Sequence, residues 1–167
     1  MKNFKKIFFV FFLFFTSFSF NANSEVVNEI NVIGSDRIST ETIAVFGDIQ
    51  IGENYENSDI SLIIKKLYET TFFKNILIEI QNGVMTIRVE ENPIVHTIIL
   101  KGEKAKKYKE VLFDLFKNRE KSSFINNYIK SDINIMKEFY RSLGFYFVKI
   151  DLEIETLQNN RVNLVYS

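Results

Sequence analysis

The chain has no cysteine, a single histidine and a single proline in 167 residues. Without cysteine, no disulfide can staple it in an oxidising compartment. A metal centre needs several clustered imidazole, thiolate or carboxylate ligands, and His96 stands alone in a β-branched stretch. Charge of one sign is also missing, because 21 basic residues face 21 acidic ones. A chain with no basic surplus has little with which to neutralise phosphates, which argues against nucleic acid as a partner. Glycines are few. Gly34, Gly47, Gly52 and Gly83 are scattered single turns, not a phosphate-cradling loop. Ser, His and Asp show no spacing that suggests a triad. These absences exclude any obvious enzyme chemistry, and no cofactor is expected.

Residues 1–24 have the layout of a secretory signal peptide. Lys2, Lys5 and Lys6 precede an apolar run from Ile7 to Phe20, and Ala22-Asn23-Ser24 supplies small residues before Glu25. The run is shorter than the ~20 residues needed to cross a bilayer. Cleavage is therefore the expectation, with an uncleaved anchor as the alternative. Removing the leader takes three lysines and leaves 18 basic residues against 21 acidic, a net charge of −3.

Residues 25–167 write one pattern twice. "LYETTFFKNILIEI" from Leu67 is echoed by "FYRSLGFYFVKIDLEI" from Phe139, and Gly34 is echoed by Gly102. A period near 70 residues is too long for a solenoid, so the chain reads as two tandem copies, 25–92 and 93–167, joined at Asn92-Pro93. In the first copy Val26 to Ile33 is a strand ended by Gly34. Ser39 caps a helix that Gly47 stops, and Asn57 or Ser58 caps a second helix with Ile60, Ile63, Ile64 and Leu67 on one face. Phe73 to Ile80 alternates as a strand, with Phe73 and Asn75 opposite Lys74 and Ile76. Asn82-Gly83 signals a hairpin into Val84–Glu90. In the second copy Val95 to Lys101 is a strand and Lys106 to Lys117 a helix with Tyr108, Val111, Leu112 and Leu115 inward. A longer helix follows within Phe124–Leu143, with Ile129, Ile133, Met136 and Tyr140 on one stripe, and Gly144 caps it. Phe145–Ile154 and Arg161–Tyr166 close the hairpin. Each copy is β-α-α-β-β, a small sheet with helices over one face.

Two charged groups invite notice. Glu90 and Glu91 are neighbours in a strand, point to opposite faces, and read as a solvated strand end. Lys104, Lys106, Lys107 and Lys109 lie beside Glu103 and Glu110 and read as a solvated helix face. A contact with an acidic partner or lipid headgroups is the alternative.

"VNEINVIGSDRIS", "SDISLIIKKLYETTFFKNILIEI" and "TIRVEENPIVHTIILKG" resemble the first polypeptide-transport-associated (POTRA) domain of the BamA family and its run into the second. "FYRSLGFYFVKIDLEI" and "NNRVNLVYS" resemble the end of the second. The likeness covers essentially the whole chain after the leader. It departs at Thr71-Phe72, where the family commonly has glycine, and Ser167 falls inside a strand, so the sequence reads as a fragment or a truncated gene. The resemblance implies an α+β fold of two tandem POTRA domains, each β-α-α-β-β, with a three-stranded mixed sheet covered on one face by two helices. It implies turns at Gly34, Gly102, Gly144 and Pro93. It places the last strand of each sheet centrally and the penultimate strand at an edge. That edge would dock extended polypeptide through Phe73, Lys74, Asn75, Ile76, Leu77 and Ile78 in the first copy. In the second copy it would do so through Phe145, Tyr146, Phe147, Val148, Lys149 and Ile150. The alternative is spacer duty, with Lys74 and Lys149 blunting the edges. The implied partners are unfolded outer-membrane β-barrel proteins and accessory assembly lipoproteins. The implied place is the periplasmic side of the outer membrane, with membrane contact only through an absent C-terminal barrel. A two-partner secretion transporter and an inner-membrane-anchored division or scaffold protein are the other readings.

Overall fold

The computed structural model describes residues 25–167; the leader expected at 1–24 lies outside the described residues. Its first strands are β1 (Glu25–Val26) and β2 (Glu29–Ile33). Helix α1 (Thr40–Gly47) follows, then β3 (Asn54–Tyr55), which pairs with β1 as a small ribbon. Helix α2 (Asn57–Glu69), β4 (Phe73–Gln81) and β5 (Val84–Glu91) complete the first unit. The second unit contains β6 (Ile94–Leu100), α3 (Lys106–Leu115), a 3-10 turn at Asn126–Tyr128, α4 (Ile129–Ser142), β7 (Leu152–Leu157) and β8 (Arg161–Tyr166). The two sheets run β2-β5-β4 and β6-β8-β7. In each, the last strand is central, parallel to the first and antiparallel to the penultimate one. The fold is α+β, with two mixed three-stranded sheets.

Apolar spacing explains the layers. Ile63 and Leu67 of α2 are buried against Met85, Ile87 and Val89 of β5. In the second unit Leu112, Phe116 and Met136 pack on Val162, Leu164 and Tyr166. Burying each such side chain contributes about 1.5–3 kcal/mol. Among the described residues the two cores share no side chain.

Local chemistry sets the element ends. Ser39 caps α1 by accepting from the Thr42 N–H. Gly47 is the last helical residue and Asp48 takes the left-handed turn, at φ 56°. A Cβ on Gly47 would lie 2.9 Å from the Ile49 side chain, so close packing holds the glycine there. The α2 cap is Glu56, not Asn57 or Ser58; Asp59 accepts from the Glu56 N–H at 2.9 Å. Asn82 and Gly83 both have positive φ, 54° and 76°, as a two-residue hairpin needs. Gly144 has φ 94°, Gly144 N–H bonds the Arg141 carbonyl and Phe145 N–H bonds the Tyr140 carbonyl. That double bond is the Schellman ending of a helix.

Further expectations change, and the strand expected from Val26 to Ile33 is split into β1 and β2. On α3, Leu112 is buried and Phe116 follows it inward, while Val111 and Leu115 are exposed. In β4 the register slips between Phe73 and Asn75. The bulge at Lys74 puts Phe73 on the inner face with Ile76, Ile78 and Ile80, not with Asn75. In the second unit, residues 145–150 do not form a strand. The ladder with β8 runs from Leu157–Arg161 to Leu152–Tyr166, and Asp151 exchanges two bonds with Ser167 beyond it.

Candidate docking edges and the joint between the sheets

Strand β4 pairs on one side only, with β5. The two-residue loop closes on the hydrogen-bonded pair Gln81 and Val84, and bonding then alternates along an antiparallel ladder. Leu77, Glu79 and Gln81 therefore point their amides at β5. Ile76, Ile78 and Ile80 point theirs outward, while their side chains lie in the core. Among the described residues no backbone group bonds that outer side. The rim is short of charge repulsion as well. Lys74 lies 2.7 Å from Glu90, and its hydrogen bond holds the Glu90 carboxyl below its ordinary value. Arg88 pairs with Glu79 on the face away from the helices. Exposed Leu77 lies on that same face.

The opposite rim of the second sheet is different. Loop residues 121–124 cover β6 through Val95 N–H to Ser122 O, Lys121 N–H to Val95 O and Phe124 N–H to Pro93 O. Glu120 also accepts from the Ile98 N–H. Among the described residues, the rim of that sheet left unpaired is β7, at Leu152–Leu157. Of the residues expected there, Phe145, Tyr146 and Phe147 are exposed, Val148 packs partly on the second core and Ile150 is buried. Lys149 pairs with Asp151 at 2.8 Å, and that bond raises its pKa. His96 is exposed on β6, where the register with β8 slips.

Gly34 has φ 88° and a Cβ there would meet the Val89 carbonyl at 2.2 Å. Only glycine fits a turn that hugs β5 so closely. Gly102 has φ 86° at the matching turn of the second unit, and Pro93 follows β5 directly.

The turn after Gly34 contains a residue that sequence reasoning misplaced. Glu91 is not a solvated strand end. Its side chain is 4% exposed, and it accepts from the Asp36 and Arg37 N–H groups at 3.0 Å, from Arg37 Nε at 2.5 Å and from the Ser35 hydroxyl at 2.9 Å. Burial pushes its carboxyl up, but the Arg37 and Ser35 donors outweigh burial and hold it below the usual range. The signal was present: a turn of consecutive N–H groups at Ser35-Asp36-Arg37 is a nest for an anion.

The joint beside it is fully bonded. Arg37 donates to the Asn92 carbonyl at 2.8 Å. Asn92 donates through its backbone to the Phe72 carbonyl and through its side chain to the Thr71 carbonyl. Asn160, in the β7–β8 turn, donates to the Glu91 carbonyl at 3.1 Å and accepts from the Ile94 N–H at 2.9 Å. A cleft of about 490 Å³ opens here, where β4 begins, between Tyr68 and Phe73 of one unit and Ile125 and Tyr128 of the other.

Known proteins share this arrangement. The POTRA family, described as "Surface antigen variable number repeat", matches residues 93–167. The outer membrane protein assembly factor BamA of Neorickettsia risticii is 22% identical over 155 residues, covering 93% of this chain and 20% of its own length. BamA of Neisseria meningitidis serogroup B is 25% identical over 140 residues, covering 83% and 18%. Among solved structures, the N-terminal domain of Omp85 from Thermosynechococcus elongatus superposes with a TM-score of 0.57 at 13% identity, over 86% of this chain and 63% of that one. The POTRA1-2 region of Omp85 from Anabaena gives 0.51 at 15% identity, over 87% and 96%. The class is thus a tandem POTRA pair. Within it, residues 93–167 carry the POTRA family match, and the whole described chain is similar to BamA and Omp85 proteins, spanning about a fifth of the length of the curated relatives it matches.

Proposed function

We propose that residues 25–92 and 93–167 are two POTRA domains that serve as a periplasmic, non-catalytic scaffold in outer-membrane protein assembly. They hold extended segments of unfolded outer-membrane proteins by adding a strand to β4, and by the same means to β7. Accessory assembly lipoproteins are further partners. The carrying observation is the strand order β2-β5-β4, which leaves the outward amides of Ile76, Ile78 and Ile80 without backbone partners among the described residues. Main-chain pairing tolerates many sequences, which suits a scaffold with varied clients. Each added hydrogen bond nets only about 0.5–1.5 kcal/mol, so a client is held weakly and released readily. Two rims raise the effective concentration of docking sites along one client.

The test is amide shift mapping with an unfolded barrel-strand peptide. Shifts should concentrate at Phe73–Ile80 and Leu152–Leu157. Changes limited to α1–α4 would defeat the strand-addition reading.

A further inference from the structure

The joint between the sheets has the bonding of a lock. We propose that Arg37, Glu91, Asn92 and Asn160 are positioning residues that hold the β4 and β7 rims at one fixed relation, so that both engage the same extended polypeptide. This use of the lock rests on the docking reading above; the lock itself rests on the geometry. Each polar backbone group able to swivel at the joint is tied. Asn92 is held on three sides, by the Thr71 and Phe72 carbonyls it donates to and by Arg37, which donates to it. Glu91 fixes Arg37 through its Nε and its backbone N–H, so the carboxylate aims the guanidinium at the joint. Phe124 N–H takes the Pro93 carbonyl from the second unit. Asn160 then crosses the joint, binding the Glu91 carbonyl of β5 through its side chain and the Ile94 N–H of β6 through its backbone. Pro93 adds a fixed φ between the two strands.

Asn160 sits at φ 49° and is exposed, so Asn160→Gly removes its bond to Glu91 while keeping the backbone conformation that glycine favours. Arg37→Met removes the guanidinium. The measurement is residual dipolar coupling and 15N relaxation on residues 25–167. In the wild type, amides of both units should fit one alignment tensor and one tumbling time. In the double variant they should need two, with each unit's own couplings unchanged. Units that already tumble separately in the wild type, or a double variant that keeps one tensor, overturn the lock. If Arg37→Met unsettles the first unit, Asn160→Gly alone decides, because it touches only the crossing bond. A second arm uses one-strand and two-strand peptides, the latter with a linker just long enough to span β4 to β7. The two-strand advantage should shrink several-fold in the variant while one-strand binding holds. Failure of both peptides to bind overturns the docking reading and leaves the tensor result to judge the lock.

Discussion

Among the described non-glycine residues with positive φ, the one β-branched residue lies where the chain turns into β4. Thr71 has φ 63°, a left-handed conformation that costs a β-branched residue on the order of 1–2 kcal/mol. Its counterpart in the second unit is Gly144, which adopts φ 94° without that cost. Asn92 steadies the strained turn by bonding the Thr71 carbonyl. Thr71→Gly should therefore stabilise the first unit by about 0.5–1 kcal/mol, less than the full strain because glycine also loosens the unfolded chain. A chemical-denaturation midpoint that falls would contradict this. The mirror change, Gly144→Val, should cost more than ~1 kcal/mol. Glu91 makes a further prediction. Its folded pKa is depressed, so its contribution is fully present above the unfolded value near ~4.3 and is lost as pH falls through the folded value. Glu91→Gln should be less stable by about 1–3 kcal/mol at pH 7, and the gap from wild type should close in acid. A gap that is constant from pH 7 to pH 2 would show that the charge is irrelevant.

At the level of the element, alternation of bonding along β4 makes an exchange pattern. The amides of Ile76, Ile78 and Ile80 should exchange quickly, and those of Leu77, Glu79 and Gln81 slowly. An added client strand should protect the first set and leave the second unchanged. Uniform protection before any peptide is added would mean that the rim is already closed. Much of this element was readable from period alone. Ile76, Ile78 and Ile80 alternate, and Asn82-Gly83 names its own turn. The bulge at Lys74 was not readable, because two residues share one partner only once β5 has reached Glu91 and Glu91 has found the Ser35–Arg37 turn. Residues 145–150 show the same limit from the other side. They have strand composition, but composition alone does not make a strand, because a strand exists only where a neighbouring strand supplies its bonds. The inward face of α3 was misread for a local reason. Val111 and Leu115 are as apolar as Leu112, and only the helix's rotation against Met136 and Tyr166 decides between them. Arg37, Asn92 and Asn160 carry no pattern at all, since at the joint their side chains donate to backbone carbonyls distant in sequence.

For the whole molecule, the balanced charge of the chain conceals a division. Residues 25–92 hold five basic and twelve acidic residues, a net of −7, whereas 93–167 hold thirteen and nine, a net of +4. Two bodies of opposite charge, with separate cores and a polar joint, should behave as two folding units that attract weakly through solvent and rigidly through the lock. Heating should then unfold them in two steps. Leu67 is fully buried in the first core, and Leu67→Ala should cost about 2–5 kcal/mol there. Calorimetry, read alongside hydrogen exchange resolved by peptide, should show one component move to lower temperature while the component from 93–167 stays within the small shift that loss of the Asn160–Glu91 bond allows. Adding Asn160→Gly to Leu67→Ala should remove even that residue of coupling. If both components instead fall together by the same amount, the joint transmits cooperativity as a core does, and the two sheets must be counted as one folding unit despite sharing no buried side chain.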